Sequence, residues 1–168
     1  MGRPNDTTTG QDIFARLRED HDRQRALLAL LARTEGGEDR RELFEEFTLE
    51  VKGHAAAEEQ ALYSTMMRKP PATDEVRHSV AEHHEIEELL NDLAATDIAS
   101  AEWMDKFGKL DHDYRHHIDE EENEHFRDFE NYLTEEDRAH MRAVFDRRKR
   151  AEKADAEVKP EKLEDAKE

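Results

Sequence analysis

HAAAE, residues 54–58, sets a histidine and a glutamate four residues apart inside a run that reads as one long helix. Positions i and i+4 stack one above the other on a helical face. An imidazole and a carboxylate stacked in this way can close on one metal ion or bridge a pair. The three residues between them are alanine, the smallest strong helix former, so nothing bulky crowds the neighbouring surface. The chain repeats the device as HIDEE, residues 117–121. A single histidine precedes each copy at nearly the same distance: His21 lies 33 residues before His54, and His83 lies 34 before His117. The pattern is H…HxxxE, twice, and the rest of the chain is organised around it.

Working outward, the apolar residues recur with helical spacing and strand signals are absent. A first helix, roughly 11–34, puts Ile13, Phe14, Leu17, Leu28 and Leu31 on one face and stops at Glu35-Gly36-Gly37. A second, roughly 38–68, carries Leu43, Phe44, Phe47, Val51, Ala61 and Leu62 and stops at Pro70-Pro71. The third starts at Thr73-Asp74-Glu75, an N-cap with an acidic first turn, and carries Val76, Val80, Ile86, Leu90 and Leu93. The fourth, roughly 99–132, carries Trp103, Phe107, Leu110, Tyr114, Ile118 and Phe129. Short connections make neighbours antiparallel, so the expected fold is all-α: an up-down-up-down antiparallel four-helix bundle over residues 11–133.

Residues 1–10, rich in Gly, Pro, Asn and Thr, read as a flexible N-terminal tail. After the bundle, Thr134-Glu135-Glu136-Asp137 reads as the N-cap of a short additional C-terminal helix with Met141, Val144 and Phe145 on one side, folded back on one end of the bundle. From Arg147 to Glu168 the chain is charged residues and alanine, a solvated helix extension or a disordered tail. Truncation after Leu133 is therefore expected to leave the histidine and glutamate set in place.

Composition narrows the function. With 26 basic and 44 acidic residues the net charge is −18, which disfavours nucleic acid and anionic membranes as partners. Zero cysteines exclude disulfides, thiolate metal sites and thiol catalysis. They fit a reducing cytosol, and a cytoplasmic protein is expected. No apolar run approaches the ~18 residues of a membrane span, and the N-terminus lacks a signal-peptide core. Ten histidines are a surplus that asks for a reason.

At ~100° per residue, His54 and Glu58 fall near the centre of their helix's apolar face, and His21, His117 and Glu121 fall within about 60° of theirs. His83 points inward and His84 sits on the flank. His116, His112 and Glu120 point well away, and His78 and His140 read as surface. His125, one turn beyond Glu121, is also on the inner face and stays an open candidate. A lone inward histidine is usually a hydrogen-bonded core residue, and a lone HxxxE is usually a surface pair. Six inward groups in two matching halves are hard to assign to chance, and two buried carboxylates need compensating positive charge. Imidazole with carboxylate and no sulfur suits iron, manganese or zinc, and six or more groups fit a dinuclear centre better than a tetrahedral zinc site.

LREDH ending at His21, HAAAEEQALY from His54, AEHHEIEELL around His83 and HHIDEEENEHF around His117 together resemble the hemerythrin-like family, the HHE cation-binding domains, over roughly residues 11–130. The resemblance implies two iron ions with an oxo or hydroxo bridge. By matching position, His21, His54, His83 and His117 would be terminal ligands, and Glu58 and Glu121 bridging carboxylates. Oxygen-carrying hemerythrins supply a fifth histidine one turn after the third-helix ligand, where this chain has Glu87. A glutamate there could ligate, hydrogen-bond a ligand or face solvent. That departure turns the expectation away from reversible O₂ carriage. It favours reaction with a small oxidant (H₂O₂, NO or O₂) in a peroxidase- or catalase-like manner, with a diatomic or peroxide-sized molecule as the partner. The alternatives are a non-catalytic O₂ or iron sensor or store, and an acidic helical protein with no metal role. The sequence does not specify an oligomeric state.

Overall fold

The computed structural model describes residues 12–165, with side chains as far as Glu157. The expected tail at residues 1–10 lies outside the described residues. Five helices follow one another, with no strand among the described residues. Helix α1 (Ile13–Ala32) starts at Asp12, whose carboxylate accepts from Phe14 N at 2.6 Å. Helix α2 (Gly37–Glu58) runs on through a π-helical turn (Glu59–Tyr63) into Ser64–Met66. Helix α3 is Thr73–Ala94. Helix α4 (Ala101–Glu120) is capped by Ser100 and runs through a second π turn (Glu121–His125) into Phe126–Glu130. Helix α5 is Glu135–Asp165.

Two details differ from the sequence expectation. Thr73 does not cap α3: Pro70–Ala72 form a 3₁₀ turn that feeds directly into it, and Thr73 is already helical. Val80 does not face the core but is 38% exposed; Ser79 takes the inward position instead. At the α1–α2 corner, Gly36 and Gly37 have φ of 113° and 75°, a conformation that side chains disfavour. Arg40 locks this corner. Its guanidinium donates to the Thr34 and Ile98 carbonyls and stacks over Trp103, tying the α1–α2 turn to the α3–α4 turn.

Helix α1 packs on α2 and α4, and α3 packs on α4 and α2. The apolar side chains form two clusters. One, around Phe47, Trp103, Phe107, Leu110 and Ile118, fills the end near the α1–α2 and α3–α4 turns. The other, around Ile13, Phe14, Leu62, Met66, Phe126 and Phe129, fills the opposite end. Burial of each such side chain contributes about 1.5–3 kcal/mol. Between the clusters lies a layer of buried polar residues: Asp20, His21, Gln24, Glu50, His54, Glu58, Ser79, His117, Glu121 and His125.

The C-terminal helix is the largest departure. It is not short: it spans 31 residues and packs along α2 and α1. Met141 and Phe145 join the second apolar cluster. Beyond Phe145 the helix is held by charge. Lys149 reaches Glu50 at 2.7 Å and Asp20 at 3.1 Å, and Arg148 donates to Gln60 at 2.8 Å. The two helices are in contact along this stretch: a Cβ at Gly53 would meet Glu152 Cβ at 3.5 Å, an ordinary van der Waals distance. An apolar-stripe reading stops at Phe145 because the further contacts are ion pairs, which leave no hydrophobic period.

Candidate metal centre

The structure brings the six inward groups together. His21 comes from α1, His54 and Glu58 from α2, His83 from α3, and His117 and Glu121 from α4 and the start of its π turn. All but His83 are at most 2% exposed, and the His83 side chain is 9% exposed. The Glu58 carboxylate lies between His54 Nε2 (3.7 Å) and His83 Nε2 (3.1 Å). The Glu121 carboxylate lies between His21 Nε2 (3.8 Å) and His117 Nε2 (2.8 Å). The Nε2 atoms of His83 and His117 are 3.1 Å apart. Two overlapping groups result: Glu58, His83, His117 and Glu121 on one side, and His21, His54 and Glu58 on the other.

Each ring turns its other nitrogen outward to a carboxylate. His21 Nδ1 meets Glu122 at 2.6 Å, His54 Nδ1 meets Asp20 at 2.8 Å, His83 Nδ1 meets Glu59 at 3.2 Å, and His117 Nδ1 meets Glu82 at 3.0 Å. An ionised carboxylate only accepts, so each Nδ1 carries the hydrogen, and in a neutral ring the Nε2 lone pair is left facing the interior. Carboxylate–histidine pairs of this kind fix ring orientation and raise ligand basicity. The four pairs run cyclically: α1 supplies the carboxylate for the α2 histidine, α2 for α3, α3 for α4, and α4 for α1. Sequence reasoning missed all four carboxylates. Each sits directly beside one of the six inward residues in sequence, but serves the histidine of the next helix, and nothing distinguishes it among 44 acidic residues.

The π turns explain two further residues. A π turn takes more residues per turn than an α turn and places i+5 over i. Tyr63, five after Glu58, is thereby brought over the interior. Its hydroxyl donates to Glu121 Oε2 at 2.7 Å, and its ring lies 5.6 Å from that of His83. Phe126, five after Glu121, stacks on His21 at 6.0 Å. The same turn rotates His125 off the face of Glu121. Its Nδ1 meets Ser79 Oγ at 3.1 Å and its Nε2 faces Glu120 at 3.3 Å, so it belongs to the α3–α4 side and not to the six. Glu87 is exposed and belongs to none of the His/Glu groups. His84, His112 and His116 are exposed as well.

The electrostatics fit a cation. Burial disfavours the charged His54 ring, but Asp20 and Glu58 outweigh it and push His54 up to about 10. Burial is likewise overcome at His117, which Glu121 and Glu82 push up to about 10. Glu58, despite burial, is held well below the usual carboxylate range by His54 and His83. The pocket thus demands positive charge, which protons or divalent ions can supply. His21 Nε2, His54 Nε2, both oxygens of Glu58 and Glu121 Oε1 are buried without a hydrogen bond, the carboxylate oxygens facing only imidazole Nε2 atoms at 2.8–3.8 Å. Native interiors rarely tolerate such a concentration of orphaned atoms.

Helices that turn buried histidines and glutamates from four sides onto one interior point define a metal-binding helical bundle. The sequence model of the hemerythrin HHE cation binding domain matches residues 12–129, and the chain belongs to that family. No curated protein and no solved structure matches the chain. The match ends before α5. Among the described residues no helix is long and apolar enough to cross a membrane.

Proposed function

We propose that this chain is a dinuclear iron protein that consumes a small oxidant of peroxide or NO size. His21, His54, His83 and His117 would hold the metal pair, with Glu58 and Glu121 between its two positions. The observation that carries this reading is the set of five orphaned polar atoms on His21, His54, Glu58 and Glu121, all buried in one layer. An up-down-up-down arrangement of α1–α4 goes with it. It is supported by opposed pairings such as Gln24 with Glu50, Arg25 with Asp119 and Lys106 with Asp92.

Bound there, an iron pair would supply redox equivalents and Lewis acidity toward a small oxidant. The chain supplies the setting. Asp20, Glu59, Glu82 and Glu122 orient the rings, and Tyr63 holds a proton on its hydroxyl beside Glu121. Phe14, Leu17, Leu62, Phe126 and Ile118 fill the core on either side of the polar layer, which suits a substrate of only two or a few atoms. The cysteine-free chain suits a reducing cytosol.

The test is the metal content and near-UV and visible spectrum of the untagged protein as isolated, with two irons per chain and oxo-bridge absorption expected. His54→Ala and Glu58→Ala should each lose metal and the metal-dependent part of the melting temperature. Two irons and unchanged melting in both variants would overturn the assignment. Mixing the reduced protein with O₂ should give oxidation; a spectrum that reverses on removing O₂ would make it a carrier.

A further inference from the structure

Two more His-x-x-x-Glu pairs, His78–Glu82 on α3 and His116–Glu120 on α4, meet on the outer side of the α3–α4 pair. Within them, His78 Nε2 lies 3.2 Å from Glu82 Oε1, and His116 Nε2 lies 3.2 Å from Glu120 Oε2. Across the helices, His78 Nε2 lies 2.9 Å from Glu120 Oε1. The imidazoles are open to solvent, with side chains 51% and 65% exposed, whereas both carboxylates are about one-fifth exposed. From the inside, His125 braces Glu120: its side chain is 6% exposed, its Nδ1 is on Ser79, and its Nε2 is 3.3 Å from Glu120 Oε1. His78, Glu82 and Glu120 can present one ligand atom each within 4.8 Å of one another.

We propose that His78, Glu82 and Glu120 form a second site for a single divalent transition-metal ion, with His116 holding Glu120 from the solvent side. One imidazole and two carboxylates, completed by water, suit Zn²⁺, Co²⁺ or Fe²⁺ better than Mg²⁺ or Ca²⁺, which prefer oxygen alone. The distances of 2.9 and 3.2 Å from His78 Nε2 to the Glu120 and Glu82 oxygens lie within the span of one ion with bonds of about 2.0–2.2 Å. The half-exposed histidines give an ion direct access from solvent. Glu82 belongs to both sites, since the same Oε1 is 3.0 Å from His117 Nδ1. An ion held outside therefore draws on the carboxylate that orients an interior histidine.

The experiment uses the full chain stripped by chelator and titrated calorimetrically with Zn²⁺ alone, with bound ions counted by mass spectrometry. Wild type should take up one ion per chain more than the His78→Ala/His116→Ala double variant, whose melting temperature without metal is checked first. Glu120→Gln should lose the same one equivalent, and Glu58→Gln should retain it. Equal counts and isotherms in wild type and both outer-site variants would overturn the proposal and leave His78 as a plain ion pair. Loss of all Zn²⁺ uptake in the double variant would also overturn it, because the outer groups would then not be a separate site.

Discussion

The two halves of the polar layer share a design but not a setting. On the α1–α2 side, His21 stacks on Phe126, and the edge of Phe145 from α5 meets His54 at 5.6 Å. Asp20, which orients His54, is clasped by Arg16 at 2.6 Å and Lys149 at 3.1 Å. On the α3–α4 side, the phenol of Tyr63 replaces Phe126 as the aromatic lid. The orienting carboxylates differ as well: on the α3–α4 side Glu59 is 45% and Glu82 18% exposed, whereas on the α1–α2 side Glu122 is 19% and Asp20 only 6% exposed. Matching HxxxE motifs therefore end in different settings, the His54 carboxylate buried and clamped by charge and the His83 carboxylate open to solvent. The identity of the i+5 aromatic and the presence of α5 make the difference, and neither belongs to the motif.

Removing the cover should give the largest effect. Phe145→Ala should cost about 3–5 kcal/mol in chemical denaturation. It should also lower metal retention, because His54 loses its apolar neighbour. Truncation after Leu133, expected from the sequence to spare the site, should do the same and more, since Lys149 and Asp146 leave with α5. A truncated chain with full metal content and unchanged melting would erase the distinction between the halves.

The orienting carboxylates sharpen the comparison. Asp20→Asn and Glu82→Gln should each weaken metal binding by roughly 10–100-fold. Only Asp20→Asn should also lower the melting temperature of the metal-free chain, because it leaves Lys149 and Arg16 facing a neutral amide in a buried place. Solvent can reach Glu82 and make good its loss. Equal metal-free melting of the two variants would show that burial does not separate them. Smaller still, Tyr63→Phe removes one buried hydrogen bond worth about 0.5–1.5 kcal/mol. Metal content should be unchanged, and the rate of the proposed oxidant consumption, measured with peroxide, should fall.

The smallest effect lies outside both halves. Burial, the neighbouring Asp128 and then Glu124 push Glu75 up to about 7 from an ordinary 4.5. A carboxyl whose folded value lies above its unfolded one stabilises the fold at low pH. That contribution is complete below about 4.5 and disappears as the pH rises through about 7. Glu75→Gln should therefore raise the melting temperature at pH 8 relative to wild type and change it little at pH 4. A gain that is the same at both values would mean that Glu75 does not titrate in this window.

The helices and the six converging groups were legible because a regular period of 3.6 carries a face through a helix without needing to know its neighbours. His83 over His84 and His117 over His116 follow from that phase alone. The phase fails where the helix changes pitch: after Glu58 and Glu121 the π turns bring in Tyr63 and turn His125 aside, and local sequence carries no mark of them. Asp20 and Glu122 were hidden for another reason. Their partners lie on other helices, 34 and 101 residues away. A helix extension past Arg147 was one of two readings of that charged stretch, but its docking along α2 was hidden because ion pairs with Asp20 and Glu50 leave no hydrophobic signature.

The cyclic carboxylate–histidine pairs have one further consequence, for assembly. Each helix takes part in two links, one given and one received, so sliding any helix by a single turn breaks both. A misregistered bundle could still bury its leucines and phenylalanines, since apolar contact is tolerant of displacement, but it could not close the ring. Only a chain with all four helices in register keeps every link, so the ring selects register where the apolar core does not.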